Sequence, residues 1–174
     1  MREGSHAQTG LVAAVPVTAS ARDLLRPHEL TRQEREDALL ARLESDQTDL
    51  APEPVSLAYR SEAPARRLPA TLTAGSPAVR FSAEGVAHEL WVVEDVGQRA
   101  RLTAAFAGLD ALYILDGHHR AAAALRFAER HATGPDHPAA TILGVLFAAD
   151  ELRVESFHRC VRSALSADGL LRAV

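Results

Sequence analysis

Apolar and polar positions along the chain fall into patterns that separate strands from helices. GLVAAVPV at 10–17 is short and almost wholly apolar, the signature of a buried strand. In LTRQEREDALLARLES at 30–45, Leu39, Leu40 and Leu43 form an apolar stripe and charges fill the opposite face, which predicts a helix. Pro52 and Pro54 end that region, and VSLAY at 55–59 reads as a strand. Residues 60–78 carry three prolines and a glycine and are expected to be a loop or insert, either a lid over a site or a surface excursion. VRFSAEGVAHELWVV at 79–93 alternates about a Glu-Gly pair, which predicts a β-hairpin. GQRARLTAAFAGL at 97–109 reads as a helix closed by Gly108. ALYIL at 111–115 is a buried strand, followed by an Asp-Gly turn and a helix from about His118 to His131. TILGVLFAA at 141–149 and LRVESF at 152–157 read as two strands joined by a tight turn around Asp150, and a last helix follows. No segment repeats. The order predicts one α+β domain over residues 1–174, a mixed sheet with flanking helices.

Composition narrows the chemistry. The 174 residues suffice for one domain with a real core. All 19 basic residues are Arg, which removes lysine-based phosphate loops, Schiff bases and kinase-style strand lysines. A net charge of -4 and a pI near 6.0 argue against general attraction to nucleic acid. The single cysteine, Cys160, excludes an internal disulfide and multi-cysteine metal clusters. No apolar run approaches the roughly 20 residues needed to span a bilayer, so no membrane engagement is expected. GLVAAVPVTASA faintly imitates a signal peptide, but Glu3 and Pro16 count against that reading, and a cytoplasmic protein is expected. Trp91 and Tyr113 read as core or hairpin packing, and His88, His131 and His137 show no role.

The chemistry concentrates in Asp116-Gly117-His118-His119-Arg120, where a strand hands over to a helix. A helix start leaves backbone N–H groups without intrahelical partners and carries partial positive charge. Gly117 permits a positive φ and close approach of a ligand, and Arg120 suits bidentate grip on phosphate oxygens. An anion site of this kind is one reading. Another is ordinary capping, with Asp116 as the N-cap and the histidines solvated in the first turn. Metal binding through His118 and His119 is a third and weaker one, because adjacent helical residues diverge by roughly 100°. Upstream, RPHEL at 26–30 places His28 and Glu29 ahead of the first long helix, where Glu29 could simply complement the helix dipole.

The combination of RPHEL with a later strand ending ILDGHHRAAAAL resembles the ParB/sulfiredoxin superfamily. Within it the chain is most similar to the free serine kinases, which make O-phosphoserine from a nucleoside phosphate. It is also similar to a bacterial family of unknown function through LWVVED, LYILDGHHR, LGVLFAADELRV and FHRCVR. The resemblance runs from about Arg26 to Arg162 and is poorest across the proline-rich stretch.

By that resemblance, Glu29 matches the catalytic carboxylate, and Asp116, Gly117, His118, His119 and Arg120 match the residues that hold the nucleotide phosphates. His28 would contact substrate. The aromatic residue that helps hold serine has its nearest counterpart in Phe157 or His158, a departure that leaves the accepting hydroxyl open. The implied function is a small-molecule kinase of free serine or a related amino acid. ADP or ATP would be the donor, and Mg²⁺ would be held through phosphates and water with no direct protein ligand. The alternative within the superfamily is a ParB-like nucleotide-binding switch without phosphoryl transfer. Sulfiredoxin-type reduction drops out because the turn contains no cysteine.

Overall fold

The structure, a computed structural model, describes residues 1–18, 23–45, 53–61, 70–153, 155, 162 and 166–173. It is a mixed α+β fold, and the described residues form two sheets. The larger sheet is formed by β3 (Gly10–Pro16), β4 (Leu25–Arg26), β5 (Val55–Tyr59), β8 (Leu112–Asp116) and β9 (Thr141–Ala148), in the order β3-β9-β5-β8-β4. Its pairings are mixed: β3 runs antiparallel to β9, β5 parallel to β9 and antiparallel to β8, and β4 parallel to β8. The smaller sheet joins β1 (Arg2–Glu3), β2 (His6–Ala7), β6 (Val79–Ala83) and β7 (Val86–Leu90), in the order β2-β1-β7-β6.

The apolar runs form the strands they predict. Val55, Leu57 and Tyr59 on β5, Leu112 and Ile114 on β8, and Leu146 on β9 make the centre of the core, with Leu57 fully inaccessible. Each such side chain contributes on the order of 1.5–3 kcal/mol of burial. Burial, reinforced by the negative charge of Glu151 and Asp150, pushes the Tyr59 phenol up to about 12 and keeps it neutral.

Among the described residues four α-helices accompany the sheets: α1 (Gln33–Glu44), α2 (Val96–Ala107), α3 (His118–His131) and α4 (Ala167–Ala173). Asp95 caps α2 by accepting from the Gln98 N–H at 2.7 Å, and Gly108 closes it. The alanine-rich face of α3 buries Ala121, Ala123, Ala124 and Ala128, small side chains that permit close packing. Charge pairs tie α3 to α1: Arg126 to Glu36 at 3.3 Å and to Asp37 at 2.7 Å, and Arg130 to Glu44 at 2.8 Å. His131 joins the last pair at 3.3 Å, and His137 accepts the Ala139 N–H at 3.1 Å.

Several expectations need correction. The sequence pattern predicts one mixed sheet, whereas the hairpin pairs with β1 in a second, antiparallel sheet. Residues 152, 153 and 155 are not in a strand, and the rest of the predicted 152–157 strand lies outside the described residues. The reason is pairing: β9 already has β3 on one edge and β5 on the other, so no edge remains for a returning hairpin arm. Leu43, placed on the apolar stripe of α1, is exposed, and only Leu40 of that helix is buried. Tyr113 is also partly exposed rather than in the core, with the Arg60 guanidinium 5.9 Å from its ring centroid. Trp91 donates its indole N–H to the Gly75 carbonyl at 2.8 Å, tying the hairpin to the end of the proline-rich stretch. Residues 62–69 of that stretch lie outside the described residues. None of the described helices is long and apolar enough to cross a membrane.

Candidate functional site

Two neighbouring strands of the larger sheet bring the RPHEL segment and the Asp-Gly-His-His-Arg turn to one place. β4 and β8 are parallel, with Leu25 opposite Leu112 and Arg26 opposite Tyr113, so both chains leave the sheet at the same end. His28 and Glu29 follow β4, and the Asp-Gly turn follows β8. The two segments meet although 90 positions separate His28 from His118. β5 runs antiparallel to β8, with Ser56 opposite Asp116, which brings Glu53 to the same end from the other side.

Together these segments line an open cleft of about 540 Å³. Glu29, Glu53, Asp116, Gly117, His118, His119 and Arg120 border it, and α1 adds Arg35, Ala38 and Leu39. That size falls within the range of small-molecule sites, roughly 300–1,000 Å³. Its charged lining consists of three carboxylates and two guanidinium groups.

Gly117 is the N-cap of α3 and takes a left-handed conformation with φ 93°. The left-handed backbone angle calls for glycine, and a Cβ there would stand 2.9 Å from Arg120 Nε, so the flexible arginine folded over the turn would have to shift. Among the described residues no side chain caps α3, and Gly117 rather than Asp116 is its N-cap residue. Asp116 instead binds Arg120: Nη2 donates to Oδ2 at 2.6 Å, while Nη1 donates to Glu53 Oε2 at 3.1 Å. Both carboxylates are largely exposed, and pairs of that kind contribute only about 0–1 kcal/mol each.

The two histidines are not solvated first-turn residues of equal standing. His118 is buried, and its Nε2 accepts the His28 N–H at 3.4 Å. Its Nδ1 lies 3.8 Å from Glu29 Oε2, and its ring packs edge-on against that of His28 at 4.5 Å between centroids. Burial, helped by the neighbouring His28, holds the His118 pKa below its ordinary value despite the opposing charges of Glu29 and Asp116. His119 Nε2 accepts the N–H of Arg32, the N-cap residue of α1, at 3.0 Å. Each imidazole therefore uses Nε2 on a backbone N–H, which leaves the pair poorly arranged for a shared metal. Among the described residues, no three His, Cys, Asp or Glu side chains are grouped to hold a metal ion.

Glu29 does not sit in the first turn of α1, which begins at Gln33. It lies in the preceding loop with its carboxylate exposed, bracketed by His118 and by His28 Nε2 at 3.9 Å. The His28 side chain is largely exposed and stands beside Glu29 rather than in the cleft lining. Phe157 and His158 lie outside the described residues. Sequence reasoning missed Glu53 and Arg35. The position of Glu53 in a Pro-Glu-Pro stretch before β5 signals a loop only, and nothing local to Arg35 distinguishes it from the other charges of α1.

No curated protein and no solved structure matches the chain. One family model matches across residues 1–174, that described as Protein of unknown function (DUF1015). The chain, with its cleft where β4, β5 and β8 converge on the start of α3, belongs to the DUF1015 family.

Proposed function

We propose that this protein is a nucleotide-dependent kinase of ParB/sulfiredoxin-like fold that phosphorylates the hydroxyl of free serine or a related amino acid. The observation that carries this reading is convergence: Glu29 and the uncapped, glycine-led start of α3 line one cleft. The backbone N–H groups of His118, His119 and Arg120 lie in the first turn of α3, where a helix start has donors to offer an anion. Arg120 adds a planar fork suited to phosphate oxygens, and a phosphate can replace a weakly held Glu53 as its partner.

In this scheme the substrate hydroxyl oxygen attacks the terminal phosphorus of the nucleotide. The bond from that phosphorus to the nucleotide oxygen breaks, and the hydroxyl proton passes to Glu29. General-base help of this kind is typically worth about 10²–10⁴ in rate. The helix N–H groups and Arg120 stabilise charge on the transferring group. Asp116 and Glu53, as hard oxygen donors, could orient the water shell of Mg²⁺, which would offset phosphate charge in a chain without lysine.

The test is a screen of hydroxy amino acids with ADP and ATP, followed by phosphorus NMR. Glu29→Gln is expected to lose about 10²–10⁴ of the transfer rate while nucleotide still binds by calorimetry. Full transfer in that variant refutes the assigned base. Arg120→Ala should weaken nucleotide affinity, and unchanged binding removes Arg120 from the site. A nucleotide switch without transfer is the second reading. It is favoured by the pairing of Arg120 with Asp116 and Glu53, which a bound phosphate would rearrange. Nucleotide binding without phosphoamino acid formation selects it.

A further inference from the structure

We infer that the His118 side chain is a positioning residue for Glu29 rather than a phosphate ligand, and that His28 and His118 together set the orientation of that carboxylate in the cleft. The catalytic consequence rests on the kinase reading; the geometry does not. Apart from the Tyr59 phenol, His118 is the one buried polar or charged side chain among the described residues. Its Nε2 accepts a backbone N–H from His28 and therefore carries no proton in the neutral ring. The proton then resides on Nδ1, which faces Glu29 Oε2 at 3.8 Å. His28 Nε2 faces the other oxygen, Oε1, at 3.9 Å. Each carboxylate oxygen thus has one imidazole nitrogen opposite it, and the edge-on contact of the two rings fixes their relative setting.

With Nε2 on the His28 N–H, the one ring nitrogen left to the buried His118 is Nδ1, and it faces Glu29 rather than the start of the helix. A second ring proton would change that, but His28, Glu29, Asp116 and His119 surround the ring, and its burial favours the neutral form. The contribution of His118 to anion binding is then its backbone N–H at the start of α3. The two roles predicted for separate segments meet in one residue: the main chain belongs to the anion cradle, the side chain to the base. His119 differs, because its ring holds the N-cap residue of α1.

Nitrogen NMR of the imidazoles in the wild-type protein tests the geometry without any variant. The Nδ1–H tautomer of His118 is expected, and a predominant Nε2–H tautomer overturns the inference. His118 ring signals should shift in Glu29→Gln; unchanged signals overturn it as well. His118→Asn keeps an amide group near the Nδ1 position, whereas His118→Gln places its amide near Nε2. The Gln variant should lose about 100-fold in kcat, the scale of a misplaced catalytic group, and the Asn variant should recover part of that loss. Nucleotide affinity by calorimetry should hold in both. A Gln variant that binds nucleotide as weakly as Arg120→Ala, with kcat intact at saturation, makes His118 a phosphate ligand and refutes the inference. If the wild-type protein transfers no phosphoryl group, the kinase reading fails, and the two NMR outcomes still decide the positioning role.

Discussion

The two sheets differ in what their strands bury. The five-stranded sheet supplies Val15, Leu25, Val55, Leu57, Tyr59, Leu112, Ile114 and Leu146 to the core. The four-stranded sheet supplies none of the buried residues, and Val79, Phe81 and Leu90 of its hairpin are about half exposed. The cleft stands at one end of the first sheet, where three strands packed into the core hand over to α3 and to loops. Groups that must be held in fixed relation gain from such a base, since a buried strand transmits its position to the residue that follows it. The hairpin keeps its shape by local means instead. Glu84 and Gly85 both take positive φ, the geometry of a tight two-residue turn, and Arg80 pairs with Glu89 at 2.6 Å across the strands.

Substitutions can break this contrast. The largest loss is expected for Leu57→Ala in the fully buried strand, about 2–5 kcal/mol, read as a lower urea midpoint. A loss below 1 kcal/mol, roughly what surface sites show, would mean that the core is not centred there. Gly117→Ala should follow at about 1–3 kcal/mol for a side chain in left-handed backbone. It should also weaken nucleotide binding, because the added Cβ displaces Arg120. Wild-type stability with unchanged binding would show that the turn tolerates another conformation. The pH dependence of stability should carry the His118 signature. Its folded pKa lies below the ordinary 6.5, so the unfolded chain binds the proton more readily. The stabilisation is present above pH 6.5 and declines as the pH falls through the lowered folded value. His118→Gln should remove that decline, and an identical pH slope in the variant would contradict the burial of the ring. The smallest effect is expected for Phe81→Ala on the exposed hairpin, within about 0.5–1 kcal/mol. A core-sized loss there would show that the hairpin face is covered.

Most elements were legible because they are long enough to show a period. VSLAY matches β5, the helix expected from His118 to His131 matches α3, and the Glu-Gly pair sits at the hairpin turn. β1, β2 and β4 were not legible, since two residues cannot display alternation. The same limit applies to the site. The donors of the Asp-Gly-His-His-Arg turn can be read locally, whereas the bond of His119 to Arg32 and that of Arg120 to Glu53 depend on strand order.

By itself the sequence determined most of the longer strands and helices, that the turn before α3 calls for glycine, and that any cationic chemistry must be arginine or histidine. Hydrophobic period, backbone sterics and composition are properties of the local chain. Only the tertiary structure decided that Glu29 and Glu53 share a cleft with Arg120, that Asp116 pairs instead of capping, and that the rings of His118 and His119 face different partners. Those outcomes follow from the parallel pairing of a two-residue strand with β8 and the antiparallel pairing of β5 on its other side, contacts between residues far apart in the chain.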